Sequence, residues 1–168
     1  MIISLIGMSG AGKSYAGKQA ADALELSFLD VDRVLEAHAG KTLPAIIDEL
    51  GEEAFSRVEG AATEKACEGD GVLISTGGSV IYAEGTMECL REYTRVIYLR
   101  VSKQTLMKRI NGDRERETRI IGLKGRTLEE VIDERLPLYE TYAHVTVDAE
   151  TGGIENIVAR IVEAALTR

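Results

Sequence analysis

The chain has 168 residues, a formal net charge of −8 and a sequence pI near 4.9. This length fits one domain, so we expect a single domain over residues 1–168. The acidic balance argues against nucleic acid or an anionic membrane as a partner, because both would repel the chain. The two cysteines, Cys67 and Cys89, lack the close spacing of a zinc site, which favours reduced thiols in a cytoplasmic protein.

Five short runs of apolar or alternating residues predict β-strands at 2–6, 26–30, 72–75, 96–99 and 145–147. The first run, IISLI, is too short for a signal peptide or a membrane span, and we predict a buried strand there. Helical patterns lie between the strands. Such alternation is typical of the α/β class, in which a mostly parallel sheet is covered on both faces and ligands bind outside the carboxyl ends of the strands.

The stretch GMSGAGKS, residues 7–14, lies between the first strand and a helical pattern. It has the form G-x-x-x-x-G-K-[ST], in which backbone N–H groups and the N-terminus of the following helix hold phosphate. In such a loop Lys13 reaches the β and γ phosphates of a nucleotide, and Ser14 is a ligand of Mg²⁺. A chance match in a glycine-rich turn is the alternative, but the strand-to-helix setting favours nucleotide binding.

The second strand ends in FLDVDR, which places Asp30 and Asp32 at the carboxyl edge of the sheet beside the phosphate loop. Residues i and i+2 of a strand face the same way. One carboxylate could anchor Mg²⁺ through water while the other accepts a proton or hydrogen bond from an attacking hydroxyl. Alternatively, Asp30 ends the strand and Asp32 caps the next helix. The phosphate loop favours the chemical interpretation.

Several helices have recognisable starts and ends. Thr42 opens an amphipathic segment that Gly51 closes, and another helix is expected directly after it. Thr127 and Glu130 form a capping box for a later helix. Apolar residues at helical spacing over 154–162 predict the last helix.

The segment NGDRERETRIIGLKGR, residues 111–126, interrupts these patterns with charge and glycine, and it predicts a mobile loop. A solvated surface loop is one interpretation. A lid over the nucleotide is the other, because the segment follows the fourth strand and its helix and carries four arginines that could neutralise phosphate charge: Arg114, Arg116, Arg119 and Arg126.

Two further stretches are candidates for the acceptor site. STGGSV, residues 75–80, ends the third strand, and its paired glycines would let the backbone approach a ligand closely; a plain turn is the alternative. ERLPLYE carries Arg135 on the helix that returns from the segment 111–126. A single arginine on a helix is usually solvated, so this residue gains meaning only from its neighbours.

Taken in this order, GMSGAGKS, FLDVDR, GEEAFSRVE, STGGSV and ERLPLYE resemble the shikimate kinases over nearly the whole chain. The resemblance implies a three-layer α/β/α P-loop kinase fold like that of nucleoside monophosphate kinases, with a five-stranded parallel sheet and a lid at about 111–126. It also implies an ATP-dependent kinase that uses Mg²⁺, phosphorylates a ring hydroxyl of shikimate and serves aromatic amino acid biosynthesis.

The resemblance also implies roles for individual residues. The nucleotide would be bound by Gly10, Ala11, Gly12, Lys13, Ser14, Tyr15 and Arg109. Ser14 and Asp30 correspond to magnesium ligands. The catalytic groups would be Lys13, Asp32 and Arg116, with Arg119 as an alternative to Arg116. The acceptor would contact Asp32, Gly77, Gly78 and Arg135.

Two positions depart from the family pattern. Phe55 is followed by Ser56, where the family has a second arginine for the acceptor carboxylate, and the arginine comes one residue later as Arg57. Arg57 is rotated about 100° from position 56 on a helix, so it can serve as an acceptor ligand only if the helix shifts. The turn STGGSV also has two glycines where the family has three. A charge-assisted contact such as the arginine contact missing at position 56 contributes about 1.5–3 kcal/mol, which is about a 10- to 150-fold change in affinity for the acceptor.

The predicted function is therefore a kinase that transfers the γ-phosphoryl group of ATP to a hydroxyl of shikimate, or of a closely related small polyhydroxy acid or cyclitol. A gluconate-type kinase, a nucleoside monophosphate kinase and a catalytically silent nucleotide-binding protein are the alternatives. The expected partner is a small-molecule hydroxyl acceptor, with no nucleic acid or membrane. The sequence shows no partner-binding tail or heptad stretch, so we expect a monomer.

Overall fold

The computed structural model describes residues 1–167. Its strands are β1 (Ile2–Ile6), β2 (Ser27–Asp30), β3 (Val72–Ser75), β4 (Arg95–Arg100) and β5 (Val145–Asp148). Its helices are α1 (Lys13–Ala23), α2 (Val31–Ala39), α3 (Leu43–Leu50), α4 (Glu52–Ala66), α5 (Glu84–Tyr93), α6 (Lys103–Ile110), α7 (Arg114–Glu117), α8 (Leu128–Tyr142) and α9 (Gly153–Leu166). A short 3₁₀ turn, Val80–Tyr82, follows β3.

All five strands are parallel, and their order across the sheet is β2-β3-β1-β4-β5. The first strand is central, with β3 and β2 on one side and β4 and β5 on the other. The loop after β1 therefore leaves the sheet where the strand order reverses, which is where parallel α/β sheets bind ligands. The predicted five-stranded parallel sheet is confirmed.

The sheet needs cover on both faces because successive residues of its central strands are buried. Every residue of β3 is buried, as are four of the five residues of β1. Helices α1 and α9 pack against each other and contact the strands, whereas α5 and α8 contact β4, and α2, α3 and α4 pack together next to β2. This is the three-layer α/β/α architecture that the sequence predicted.

Local sequence signals set most of the helix boundaries. The Asp30 carboxylate accepts the backbone N–H of Arg33 at 3.3 Å and so caps α2, while Thr127 and Glu130 form the predicted capping box of α8. One local expectation was incomplete. The segment 111–126 contains a helical turn, α7, because the Asp113 side chain caps it by accepting the Arg116 N–H at 3.1 Å.

None of the helices formed by residues 1–167 has the length and apolar run needed to traverse a bilayer.

Candidate active site

A cavity of about 920 Å³ opens at the carboxyl edge of the sheet. Its walls come from the phosphate loop, the start of α2, the turn after β3, the segment 111–126, the middle of α8 and the start of α9. These elements are far apart in the chain, but the parallel strands bring their carboxyl ends to one edge. The cavity therefore contains most of the side chains that the sequence singled out.

The phosphate loop has a backbone that requires glycine at several positions. Gly10 and Gly12 have positive φ angles of 85° and 89°, which residues with a side chain rarely adopt. At Gly7 a Cβ atom would lie 2.9 Å from the carbonyl oxygen of Leu99. The loop ends at the N-terminus of α1, so its backbone conformation and the helix dipole both suit an anion.

Lys13 is buried at the base of this loop. Its ammonium group donates to the carbonyl oxygens of Gly7 at 2.6 Å and Met8 at 3.2 Å. Burial lowers the pKa of Lys13 to about 8, although the carboxylates of Asp32, Asp30 and Glu59 oppose that shift. A triphosphate at the loop would add negative charge and stabilise the protonated form.

Ser14 and Asp30 lie together at the start of α1 and the end of β2. The Ser14 hydroxyl donates to Asp30 Oδ2, while Asp30 Oδ1 accepts the N–H that caps α2. Hydroxyl and carboxylate oxygens are the ligand types that Mg²⁺ prefers, and one or two protein ligands suffice when phosphates supply others. Residues 1–167 contain no cluster of three or more His, Cys, Asp or Glu side chains suited to a metal ion, so the fit rests on this pair.

Asp32 is partly exposed as a residue, but its carboxyl group has a buried oxygen and lacks a full set of hydrogen-bond partners. Its Oδ1 atom accepts no hydrogen bond from residues 1–167. Burial raises the pKa of Asp32 to about 6, and the nearby Asp30 carboxylate raises it further. A buried, unpartnered oxygen in a cavity is well placed to accept a hydrogen bond from a ligand hydroxyl.

Glu59 is a second buried carboxyl group in the cavity, and sequence reasoning missed it. Only 3% of its surface is exposed, and Oε2 accepts the Ser79 hydroxyl at 2.7 Å. The carboxyl group lies so close to Gly77 that a Cβ atom there would be 1.7 Å from Oε1. The available signal was the spacing of Glu59 four residues after buried Phe55, which puts both on one helix face.

Arg135 is buried on α8, with 1% of its surface exposed. Its Nη2 donates to the carbonyl oxygen of Ile121 at 2.5 Å, and its guanidinium carbon lies 5.3 Å from the centre of the Tyr82 ring. Its Nε has no hydrogen-bond partner in residues 1–167. A Cβ atom at Gly78 would lie 3.5 Å from Arg135 Nη1, so the glycine turn after β3 borders this arginine. Burying a cation with so few partners is costly unless an anion joins it.

The predicted lid arginines occupy different parts of the site. Arg116 Nη1 lies 3.6 Å from the Cβ position of Gly10, so Arg116 borders the phosphate loop, where Arg109 also donates to the Gly10 carbonyl at 3.0 Å. Arg119 instead pairs with Glu36 of α2 at 3.3 Å. The two alternatives are therefore separated in space, with Arg116 at the nucleotide end.

Three of the residues considered from the sequence lie at the edge of the cavity or outside it. Tyr15 lines the cavity but has 69% of its surface exposed. Ser56 is partly buried and does not line the cavity. The side chain of Arg57 is exposed and pairs with Glu53 at 2.7 Å, also away from the cavity. The proposed role of Arg57 in binding the acceptor stays a prediction.

The sequence and the fold both match a known family. The family model for shikimate kinase matches residues 9–166. The shikimate kinase of Thioalkalivibrio sulfidiphilus is 37% identical, with 95% of this chain and 84% of the relative covered. The shikimate kinase of Salinibacter ruber is 36% identical, with 97% of this chain and 83% of the relative covered.

Solved structures of shikimate kinases are also similar to this chain. The shikimate kinase of Acinetobacter baumannii, solved in complex with shikimate, superposes with a TM-score of 0.86 at 28% identity, covering 96% of this chain and 90% of that one. The Aquifex aeolicus enzyme gives 0.84 at 26% identity, covering 98% and 95%. A Sinorhizobium meliloti gluconokinase shares the fold alone, with a TM-score of 0.54 at 18% identity, covering 98% of this chain and 88% of that one. The chain belongs to the shikimate kinase family and is an ATP-dependent phosphotransferase.

Proposed function

We propose that this protein transfers the γ-phosphoryl group of ATP, bound with Mg²⁺, to a ring hydroxyl of shikimate. One observation above all supports shikimate as the acceptor. Asp32 and Arg135 present buried atoms that have no hydrogen-bond partner in residues 1–167, one on an acidic and one on a basic side chain, to a single cavity beside the phosphate loop. Shikimate offers hydroxyls to the carboxyl oxygen and a carboxylate to the guanidinium. The Acinetobacter baumannii relative in complex with shikimate supports this assignment.

The nucleotide would lie along the phosphate loop. Gly10, Ala11, Gly12 and Lys13 would hold the phosphates, and Tyr15 and Arg109 would lie nearer the base. Ser14 and Asp30 would hold Mg²⁺, which supplies neutralisation of the phosphate charge during transfer.

Asp32 would orient the attacking hydroxyl. With a pKa of about 6, its carboxyl group is mostly ionised at neutral pH and is a stronger base than an ordinary aspartate. The free Oδ1 atom can accept the hydroxyl hydrogen as the oxygen attacks. Lys13 and Arg116 would stabilise negative charge on the transferred group, since both border the phosphate loop. Positioning and charge stabilisation account for most of the catalysis in phosphoryl transfer.

The segment 111–126 would act as a lid. It contributes Arg116 to the nucleotide end and the Ile121 carbonyl to Arg135, so one segment contacts both halves of the site. Closure of such a segment excludes water, which otherwise competes with the acceptor for the phosphoryl group. Its hydrogen exchange should therefore slow when both ligands bind.

We further propose that the protein acts as a single-domain monomer in the cytoplasm, without nucleic acid or membrane as a partner. Its net charge of −8 supports the last point. Sedimentation equilibrium at micromolar concentration tests the monomer, and a mass of twice 18.3 kDa would contradict it.

The first experiment measures ADP release from Mg-ATP with shikimate titrated beside quinate, gluconate, several cyclitols and AMP. Saturation by shikimate at low concentration, with little response to the others, supports the proposal. Turnover on another acceptor without a response to shikimate would show that the acceptor is wrong. No turnover on any of them would leave the proposed reaction itself contradicted.

Two arginine variants then test the acceptor's anionic end. Arg135→Met should raise the KM for shikimate about 10- to 150-fold, because it removes a charge-assisted contact. Arg57→Ala tests the remaining sequence prediction. A raised KM in that variant would support Arg57 as an acceptor ligand, whereas an unchanged KM would exclude it.

A further inference from the structure

The contact between Ser79 and Glu59 is unusual among the hydrogen bonds of the cavity, because it joins a serine hydroxyl to a buried glutamate. Ser79 is 7% exposed and Glu59 is 3% exposed. The Ser79 Oγ donates to Glu59 Oε2 at 2.7 Å. Among residues 1–167, this is the one hydrogen bond that the Glu59 carboxyl group accepts, so the other oxygen, Oε1, receives none. One carboxyl oxygen is thus held and the other is free.

The free oxygen is confined on the side of the glycine turn. A Cβ atom at Gly77 would lie 1.7 Å from Glu59 Oε1 and 2.7 Å from the carboxyl carbon. The same Cβ position is 3.4 Å from Asp32 Oδ1, so both carboxyl groups lie close to one point beside the turn. Gly77, Asp32 and Glu59 all line the cavity. Backbone on one side and the serine hydroxyl on the other leave Glu59 little freedom to turn.

We propose that Ser79 is a positioning residue of the acceptor site: its hydroxyl holds the Glu59 carboxyl group so that Oε1 meets an acceptor hydroxyl beside Asp32. This inference rests on the proposed function, because it assigns Oε1 to the same acceptor. Without the Ser79 hydroxyl, Oε2 loses its only donor among residues 1–167 and the carboxyl group can rotate away from the turn. The acceptor then loses a prepared partner, and nucleotide binding is unaffected.

The charge state of Glu59 supplies a readout that a purely structural role would not change. Burial raises the pKa of Glu59 to about 7, and the hydrogen bond from Ser79 opposes that rise by stabilising the charged form. The charged groups that face Glu59 are Asp32 on α2, Lys13 on α1 and Arg135 on α8. Ionised Glu59 is the stronger hydrogen-bond acceptor for a ligand hydroxyl, so the KM for shikimate should fall as the pH increases through about 7.

Ser79→Ala is the main variant. It should raise the KM for shikimate on the order of 10-fold, the low end for a lost hydrogen bond to a charged group, with a smaller effect on kcat and none on the KM for ATP. The pH at which the KM changes should also move upward, because the donor that favours the charged carboxyl group is gone.

The matched control is Thr86→Val. Thr86 of α5 is also buried, and its hydroxyl donates at 2.6 Å to Glu64, which lies on α4 like Glu59. Neither Thr86 nor Glu64 lines the cavity. This variant should alter stability without changing the KM for shikimate or its pH dependence. If Ser79→Ala behaves like Thr86→Val, Ser79 has only a structural role and the proposal is wrong.

Glu59→Gln keeps the side-chain shape and an oxygen for Ser79, so it gives a second test that does not depend on Ser79→Ala folding. The pH transition in the KM should disappear both in this variant and in the double variant that adds Ser79→Ala. A transition identical to that of the wild type would contradict the contact between Glu59 and the acceptor. A wild type that does not respond to shikimate would instead overturn the proposed function and, with it, this inference.

Discussion

Replacing Glu59 with glutamine should stabilise the protein increasingly as the pH rises from 4.5 to 7, with the full effect above pH 7. The glutamate is almost fully buried, and within the described part of the chain its carboxyl group receives one hydrogen bond, from Ser79. Glutamine has the same shape, so it preserves the tight contact with Gly77. The substitution therefore removes the cost of burying a charge without creating a cavity.

The sign and size of the effect follow from proton linkage. The pKa of Glu59 is raised by burial from 4.5 to about 7, so the folded state binds the proton more tightly than the unfolded state. The stability from this group is fully present below pH 4.5, is lost as the pH rises from 4.5 towards 7, and is gone above pH 7. At about 1.4 kcal/mol per unit of pKa difference, the shift corresponds to roughly 3 kcal/mol.

Urea unfolding followed by circular dichroism at pH 5, 6, 7 and 8 measures this effect. The free energy of unfolding of Glu59→Gln minus that of the wild type should grow by about 3 kcal/mol across this range. Taking the difference removes contributions that both proteins share, including that of Asp32. Glu53→Gln, which removes an exposed carboxylate from the same helix, corrects for the change in net charge. A difference that stays constant with pH would refute the reasoning.

Three further changes test other parts of the site. Asp32→Asn should lower turnover by at least about 100-fold while ATP binding, measured by calorimetry, persists; retained turnover would show that Asp32 is not the base. Gly77→Ala would place a Cβ atom 1.7 Å from a carboxylate oxygen, and we expect a loss of about 1–3 kcal/mol in urea unfolding. The control Gly85→Ala, which meets no atom within 4 Å, should be neutral or stabilise by up to about 1 kcal/mol, and equal losses in both would contradict the steric argument. Glu36→Gln weakens the 3.3 Å ion pair with Arg119, so hydrogen exchange in residues 111–126 should become faster in mass spectrometry; unchanged exchange would mean that the pair does not hold this segment.

Features that depend on neighbouring residues were predictable from the sequence. The strands were found to within one residue at each end, since their apolar runs are short and bounded by turn residues. The capping box of α8 joins residues three apart in the chain, and it formed as expected. The helical turn α7 was missed because its composition is charged throughout and only the cap at Asp113 signals it.

Features that depend on distant residues were not predictable in the same way. The sequence left Arg116 and Arg119 as alternatives, whereas the fold brings Arg119 to Glu36, 83 residues earlier, and leaves Arg116 beside the phosphate loop. Glu59 and its contact with Ser79 were missed for the same reason. Helical spacing places Glu59 on the buried face of α4, but only the packing of α4 against the turn after β3 reveals its partner.

The sequence by itself determined the order of strands and helices, the phosphate loop and the family, because each of these depends on contiguous motifs or on short-range periodicity. Only the tertiary structure decided which charged groups share the cavity, which of their atoms lack partners and how their pKa values shift. Those properties arise from burial and from distances between residues that the parallel sheet brings to one edge.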